Sequence, residues 1–299
     1  MRTRTAHGTA RLVRFAGFLA ALAATGIALA DCASDYGTAD PGGHDGGDTR
    51  PDAKVERDVQ VEEEDAGVDA GCPGTAGPTA VRVGSLVDGD FCIDSTEVTR
   101  AQYLAFLQTD PKATHPRCAY RQNFTPQTSA WPPTAAEADL PVVNVDWCDA
   151  YTYCAWAGKR LCGKIGGGAL DGGSERKNFR VDQFFHACTK GGTILYPYGP
   201  TYEAYRCNGP DAAAALPVGS LPACQGGFPG LFDMTGNVSE WVDNCDPGGD
   251  SQDGKDDGCW VHSGSFVESK GEEALRCTSD AQTGRGTSFR NLGFRCCGP

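Results

Sequence analysis

Fifteen cysteines in a chain of 299 residues constrain this protein more than any other feature of its sequence. Chains rich in disulfides persist in oxidising compartments outside the cytoplasm, whereas a reducing cytoplasm rarely holds so many thiols without metal clusters. Fourteen of the cysteines lie within residues 72–297 and can close as seven pairs, and the remaining one is Cys32. No C-x-x-C or H-x-x-x-H spacing occurs, so the cysteines predict disulfides rather than a zinc site.

The first 30 residues are typical of an export signal. A basic head with four arginines precedes an uncharged, mostly apolar stretch over residues 15–30, which is too short to span a bilayer. Cleavage after Ala28-Leu29-Ala30 would release the chain, whereas Leu29-Ala30-Asp31-Cys32 resembles a lipobox that would place a lipid on Cys32. The acidic residue before Cys32 argues against lipidation and the even number of remaining cysteines favours it, so both alternatives stay open. Both predict an exported protein, located in the periplasm, on the outer membrane as a lipoprotein, or outside the cell.

Charge divides the rest of the chain into two parts. Residues 31–71 contain 13 acidic and three basic side chains and one aromatic residue. This composition cannot bury enough apolar surface to offset the entropy of ordering, so it predicts a disordered acidic tether. Residues 72–299 contain every tryptophan and are long enough for one domain with a sizeable core. The formal net charge of −13 argues against a nucleic-acid partner.

Local patterns in the domain predict short strands and helices. Residues 81–83 and 91–93 have the composition of strands, and Thr99 and Asp146 are helix-capping residues that precede apolar side chains at helical spacing. A third short helix is expected near residues 181–188. Beyond it, Gly, Pro and Asn recur every few residues and favour loops and short strands. The predicted fold class is therefore α+β, loop-rich and stapled by disulfides.

One acidic pair suggests a cation site. Asp233 and Glu240 lie seven residues apart on either side of a turn that contains Gly236. Hard cations such as Ca²⁺ bind carboxylates and backbone carbonyls from tight loops of this kind. Acidic residues that simply flank a turn are also common, so the spacing alone leaves both interpretations open.

Several motifs in a fixed order resemble one known family. They are F-C-I-D-S-T-E-V-T (91–99), P-V-V-N-V-D-W (141–147), A-W-A-G-K-R-L (155–161), Y-P-Y-G (196–199), G-L-F-D-M (230–234), G-N-V-S-E-W (236–241) and G-F-R-C (293–296). Together they resemble the formylglycine-generating enzyme, or sulfatase-modifying factor, family over roughly residues 78–298. The resemblance implies a loop-rich, C-type-lectin-like variant of the α+β class.

The resemblance also implies bound calcium and two particular disulfides. Family members hold two structural Ca²⁺ ions, and the matching positions form two ligand sets. The first set is Asp233, the carbonyls of Gly236 and Val238, and Glu240; the second is Asn208, the carbonyl of Gly209 and Asp211. The disulfides implied are Cys154–Cys296 and Cys188–Cys277, and ten other cysteines of the domain have no counterpart that would pair them.

The position of the family's catalytic cysteines differs in this chain. The family reaction uses O₂ to oxidise a sulfatase cysteine to formylglycine, and two thiolates bind Cu(I), a soft ion that prefers soft ligands. Here Glu268 and Glu273 occupy those two positions, downstream of Ser265, and Ser239 replaces a family tryptophan. Copper is therefore not expected. The two carboxylates could act as acid and base together with Ser265, or they could be surface charges on a loop.

Three functional hypotheses follow. The first is an exported family member without oxidase chemistry that serves as a disulfide-stapled binding or structural module. The second is an enzyme with altered chemistry centred on Ser265, Glu268 and Glu273, and the third is a formylglycine generator that uses displaced cysteines. The expected partner is an exported protein or peptide, and contact with a membrane is expected only through a lipid on Cys32.

Overall fold

The computed structural model describes most of the predicted domain. The described ranges are residues 71–85, 89–210, 212–248, 253–262, 264–267 and 271–299. The predicted signal, the predicted tether up to residue 70 and Cys32 lie outside the described residues. Within the described ranges, no helix combines the length and the apolar character that crossing a membrane requires.

In the described residues, three α-helices begin where short polar side chains satisfy the first free backbone N–H groups. Their bounds are α1 Arg100–Leu107, α2 Trp147–Trp156 and α3 Gln183–Thr189. The caps predicted at Thr99 and Asp146 are confirmed, since each side chain accepts a hydrogen bond from the backbone N–H three residues later. The third helix starts slightly later than predicted because Asp182 caps it through the N–H of Phe185.

Eight strands within the described ranges form two four-stranded sheets. The strands are β1 Ala80–Val83, β2 Phe91–Asp94, β3 Arg160–Leu161, β4 Ser239–Asp246, β5 Gly258–His262, β6 Asp280–Gly284, β7 Leu292–Phe294 and β8 Cys296–Gly298. The first sheet has the order β1-β2-β8-β3 and is antiparallel. The second sheet has the order β6-β5-β4-β7, and β4 pairs with β7 in parallel. The two strands predicted at residues 81–83 and 91–93 and the α+β class are confirmed, and the structure pairs the two strands as β1 and β2.

The long strand β4 contributes to both main apolar cores. Successive side chains of a strand point to opposite faces of a sheet. Trp241 therefore packs with Trp147 and Phe294 in one core, while Val242 packs with Phe184 in the other. Both faces of the second sheet are thus covered near the middle of β4.

Seven disulfides join all fourteen cysteines of the described domain. They are Cys72–Cys92, Cys118–Cys148, Cys154–Cys296, Cys162–Cys297, Cys188–Cys277, Cys207–Cys224 and Cys245–Cys259. The third and fifth of these are the two pairs implied by the resemblance. The loop-rich fold is therefore held by covalent links that are spread over the whole domain.

Candidate functional site

The segment after β5 contains the first predicted catalytic residue. Ser265 is completely buried, and its Oγ accepts a hydrogen bond from Nδ2 of Asn291 at 2.9 Å. The N–H of Phe266 donates to the carbonyl of Asn237, and the N–H of Gly236 donates to the carbonyl of Gly264. These bonds fix residues 264–267 against the turn that leads into β4. Within the described segment no His, Asp or Glu side chain bonds to the Ser265 hydroxyl, so nothing there activates it as a nucleophile.

The two predicted acidic residues have different outcomes. Glu268 lies outside the described residues. Glu273 lies on a 3₁₀ turn, Gly271–Leu275, and its side chain is exposed. Glu273 is therefore in solvent, as expected of a surface charge, whereas Ser265 is buried.

Asn291 is a site residue that the sequence analysis missed. Its side chain holds Ser265, and its carbonyl accepts the N–H of Ser239 at the start of β4. An asparagine directly before a strand is a recognisable signal, because Asn is depleted within strands and its amide both donates and accepts hydrogen bonds. Its position two residues upstream of the G-F-R-C motif could have drawn attention to it.

A cavity of about 400 Å³ opens beside this hydrogen-bonded segment. All four strands of the second sheet contribute to its lining or lie next to it. Its lining includes Ser239, Val261, Ala281, Thr283, Asn291 and Leu292. Ligand pockets are typically about 300–1,000 Å³, so this cavity has the size of a small binding site.

The first predicted calcium loop forms a tight turn before β4. Asp233, Gly236 and Asn237 all adopt positive φ angles, of 55°, 81° and 50°. Both side chains predicted to bind the ion are buried: the carboxylate of Asp233 accepts the N–H of Gly219 at 2.6 Å, and that of Glu240 binds Arg295 at 2.8 Å. The turn and its buried carboxylates fit the donor set that Ca²⁺ prefers.

A third buried carboxylate lies beside this loop. Oε1 of Glu97 accepts a hydrogen bond from Nδ2 of Asn237 at 3.0 Å, and Oε2 has no hydrogen-bond partner among the described residues. Burial and the nearby carboxylates of Asp233 and Glu240 raise the pKa of Glu97 well above its usual range. Burial also raises the pKa values of Asp233 and Glu240 themselves.

The charge balance of this cluster leaves room for a cation. Glu97, Asp233 and Glu240 face one guanidinium, that of Arg295. In the described part of the chain, no three His, Cys, Asp or Glu side chains converge closely enough to hold a metal ion by themselves. A bound ion would therefore need backbone carbonyls as further ligands, as the predicted set from Gly236 and Val238 supplies.

The second predicted calcium site is only partly described. Asn208 is buried and its Nδ2 donates to Oδ1 of Asn237 at 3.0 Å, which links the two predicted loops. Asn208 and Gly209 line a smaller cavity of about 200 Å³. Asp211 lies outside the described residues.

Comparison with known families decides the identity of this fold. The profile described as "Sulfatase-modifying factor enzyme 1-like domain" matches residues 70–298, which is most of the chain. The chain belongs to the sulfatase-modifying factor family. The family resemblance carried by the ordered motifs is thereby confirmed, and the α+β, disulfide-stapled fold is the family's C-type-lectin-like variant.

Relatives of two kinds match the sulfatase-modifying factor domain. The mouse protein "Inactive C-alpha-formylglycine-generating enzyme 2" is 24% identical over 251 residues, covering 69% of this chain and 74% of the relative. The mouse "Formylglycine-generating enzyme" is 30% identical over 177 residues, covering 52% of this chain and 43% of the relative. Among solved structures, "Crystal Structure of CarF" has a TM-score of 0.47 and 22% identity, and the match covers 76% of this chain and 96% of that chain.

Proposed function

We propose that this sulfatase-modifying factor domain is a binding module that does not oxidise cysteine through a copper–thiolate centre. The observation that carries the proposal is the state of the cysteines. The cysteines on either side of the segment around Ser265 are Cys259, which is bonded to Cys245, and Cys277, which is bonded to Cys188. Every other cysteine of the described domain is also in a disulfide, so none of them offers a thiolate to Cu(I).

The site chemistry and one relative support the same proposal. The segment after β5 offers the Ser265 hydroxyl and a solvent-exposed Glu273, which are hard oxygen groups that do not select a soft ion. A relative described as inactive matches a larger share of this chain than the relative described as a formylglycine-generating enzyme. The cavity of about 400 Å³ next to this segment is a place where a binding module could hold its ligand.

The direct test is a thiol count on the full chain with Cys32→Ser. Titration with a thiol reagent in denaturant, without reductant, should find no free thiol, and the same protein after reduction should show all fourteen. Two free thiols in the unreduced protein would instead favour the generator with displaced cysteines.

The activity test uses a sulfatase-motif peptide, copper and O₂. Mass spectrometry should find no aldehyde above the level in a copper-only control, with an active formylglycine-generating enzyme as the positive control. Aldehyde formation that depends on the protein would overturn the proposal.

We propose calcium as a structural ion of the turn before β4. The proposal is supported by the positive φ angles of Asp233 and Gly236, by the buried carboxylate of Glu240 and by the surplus of acid over base around Arg295. Bound calcium would supply positive charge at this turn. The residues themselves hold the loop to residues 264–267 and to Glu97 through Asn237.

We propose that the protein is exported and meets an exported protein or peptide. Seven disulfides in one domain are typical of oxidising compartments outside the cytoplasm. A fusion of residues 1–40 to a reporter enzyme that functions only after export tests the leader. Metabolic labelling with a fatty acid, with Cys32→Ser as control, distinguishes a lipoprotein from a released protein.

A further inference from the structure

One of the seven disulfides joins two residues that lie directly opposite each other in a sheet. Cys245 on β4 and Cys259 on β5 are register partners in the antiparallel pair, and their Cα atoms are 4.0 Å apart. The Cα atoms of the other six pairs are 4.7–5.7 Å apart. Opposite residues in antiparallel strands are about 4.5 or 5.5 Å apart at Cα, and disulfides usually span about 4.4–6.8 Å. The Cys245–Cys259 link therefore holds the two strands closer together than either the sheet or the bond favours.

This link also has a half-buried cysteine that a reductant can approach. Twelve of the fourteen cysteines in the described domain are buried, and the two exceptions are Cys72 and Cys245. The pair formed by Cys72 has an ordinary Cα separation of 5.7 Å. Thiol–disulfide exchange begins when a thiolate attacks an accessible sulfur, and closely drawn disulfides are the more easily reduced ones. Cys245–Cys259 is therefore the pair that a dithiol should reduce first.

The backbone holds the outer end of β4 only weakly to β5. The pairing of the two strands is regular as far as Trp241 and is interrupted before Cys245. At the interruption, the N–H of Asp243 donates to the carbonyl of Cys162 at 2.7 Å instead of to β5. Among the described residues, two residue pairs of β4 and β5 remain in register beyond it. Because β5 is paired with β6 over its whole length, loss of the disulfide would release the end of β4.

The domain can lose this link and remain folded. It closes the shortest loop of the seven, with a sequence separation of 14 residues, whereas the other six separations are 17–142 residues. The stabilisation expected from closing a loop increases with the length of that loop. Reduction of Cys245–Cys259 should therefore change the order of one hairpin and leave the two sheets and their six other disulfides in place.

We infer that Cys245–Cys259 is a redox-sensitive switch, which a dithiol opens selectively to release the outer end of β4 from β5. A thiolate of the dithiol attacks Sγ of Cys245, the disulfide bond breaks, and Cys259 leaves as a thiolate that takes up a proton. The second thiol of the reductant then attacks the mixed disulfide and releases Cys245, so that two electrons pass to the protein and the dithiol becomes a disulfide. This inference goes beyond the proposed binding function and does not depend on it.

The test titrates the full chain carrying Cys32→Ser with dithiothreitol under native conditions. Free thiols are trapped with N-ethylmaleimide and located by peptide mass spectrometry. Cys245 and Cys259 should be labelled at a dithiol concentration at least tenfold lower than any other pair requires. Cys207–Cys224, which is buried and closes a loop of 17 residues, is the matched control within the same chain.

Hydrogen exchange measured at the same dithiol concentration reports the structural consequence. Exchange should accelerate at the outer end of β4 and stay unchanged in β2, and reoxidation with oxidised glutathione should restore the original rates. The variant Cys245→Ser/Cys259→Ser should show the fast exchange without any dithiol. If this variant does not fold, the titration of the chain with all seven disulfides still decides the question.

Three outcomes overturn the inference. They are earlier labelling of another pair, labelling of all pairs at one dithiol concentration, and selective reduction that leaves exchange in β4 unchanged. The thiol count without reductant and the aldehyde assay are independent of this titration. A failed switch with no free thiols in the unreduced protein therefore leaves the proposed function standing, whereas protein-dependent aldehyde would remove it.

Discussion

The two sheets of this domain are stabilised in different ways. The first sheet consists of strands of two to four residues, and three disulfides attach to it or next to it, through Cys92, Cys296 and Cys297. The second sheet contains the eight-residue strand β4 and has one disulfide, Cys245–Cys259, between its own strands. Short strands gain little stability from packing alone. In the first sheet, disulfides supply stability that longer strands would otherwise provide.

The same contrast holds for buried charge. In the first sheet, Asp94 has a one-to-one partner in Lys159, with Nζ and Oδ1 2.5 Å apart. Beside the second sheet, Arg295 faces several carboxylates, and the chain passes through this arginine from β7 to β8. A region with surplus charge and an open face is better suited to binding than one closed by disulfides and a matched ion pair.

Removing one disulfide from each sheet is the strongest way to break this comparison. Cys154→Ala/Cys296→Ala opens a link between residues 142 apart, whereas Cys245→Ala/Cys259→Ala opens one between residues 14 apart. Loop-closure entropy predicts losses in the free energy of unfolding of about 5 and about 3 kcal/mol. Guanidinium unfolding of both variants measures the difference, and equal losses would show that covalent closure is not what distinguishes the sheets.

Removing a buried cation tests the charge contrast. Arg295→Met leaves the buried carboxylate of Glu240 without its partner. It should lower the free energy of unfolding by about 3–5 kcal/mol in calcium-free buffer. Lys159→Met leaves one buried carboxylate, that of Asp94, whereas Arg295→Met leaves those of Glu97, Asp233 and Glu240, so Lys159→Met should cost less. Urea unfolding at pH 7 compares the two variants, and a smaller loss for Arg295→Met would contradict the assigned surplus of negative charge.

Calcium removal should act on the second region alone. An ion at 100 times its Kd stabilises the native state by about 2.7 kcal/mol, so EDTA should lower the Tm of the wild type. Asp233→Asn should abolish this sensitivity, whereas Asp171→Asn, which changes an exposed acid, should retain it. Hydrogen exchange should accelerate in β4 and stay unchanged in β2, and an EDTA effect that spares β4 would place the ion elsewhere.

The smallest effect concerns one carboxyl on each sheet. Burial raises the pKa of Asp94 on β2 and of Asp243 on β4 to about 6, although Lys159 and Arg160, respectively, oppose the shift. The native state then holds these protons more tightly than the unfolded state, so their contribution is fully present below pH 4 and is lost as the pH rises through 6.

Asp243→Asn measures the share of the second sheet in this pH dependence. The fall in the free energy of unfolding between pH 4 and pH 7 should shrink by about 1–2 kcal/mol, after allowance for the partial exposure of the site. Urea unfolding at both pH values gives the result. An unchanged pH profile would show that Asp243 is ionised in the native state at pH 4 as well.

Local structure was predictable from the sequence where a side chain favours one conformation through contacts with its own neighbours along the chain. Thr99 and Asp146 cap helices because their side chains reach a backbone N–H three residues ahead, and this requires no distant contact. The pair β1–β2 was predictable because its strands are neighbours in sequence. The length of β4 was underestimated because glycine and asparagine around it favour loops in isolation.

The candidate site was predictable only in part. The positions of Ser265 and Asp233 followed from motifs, but the bond between Ser265 and Asn291 joins residues 26 apart. The cavity was not predictable at all, because its lining comes from all four strands of the second sheet, whose order β6-β5-β4-β7 differs from their order along the chain. Composition and spacing carry no information about such a gap.

The sequence by itself determined that the cysteines of this domain form disulfides, and it determined the acidic charge, the helix starts and the family. Each of these depends on residue types or on neighbours along the chain. Only the tertiary structure decided how the other ten cysteines of the domain pair, that Arg295 faces several acids, and that a cavity opens beside β4. Each of these depends on the distance between residues far apart in sequence, and that distance exists only once the two sheets have packed.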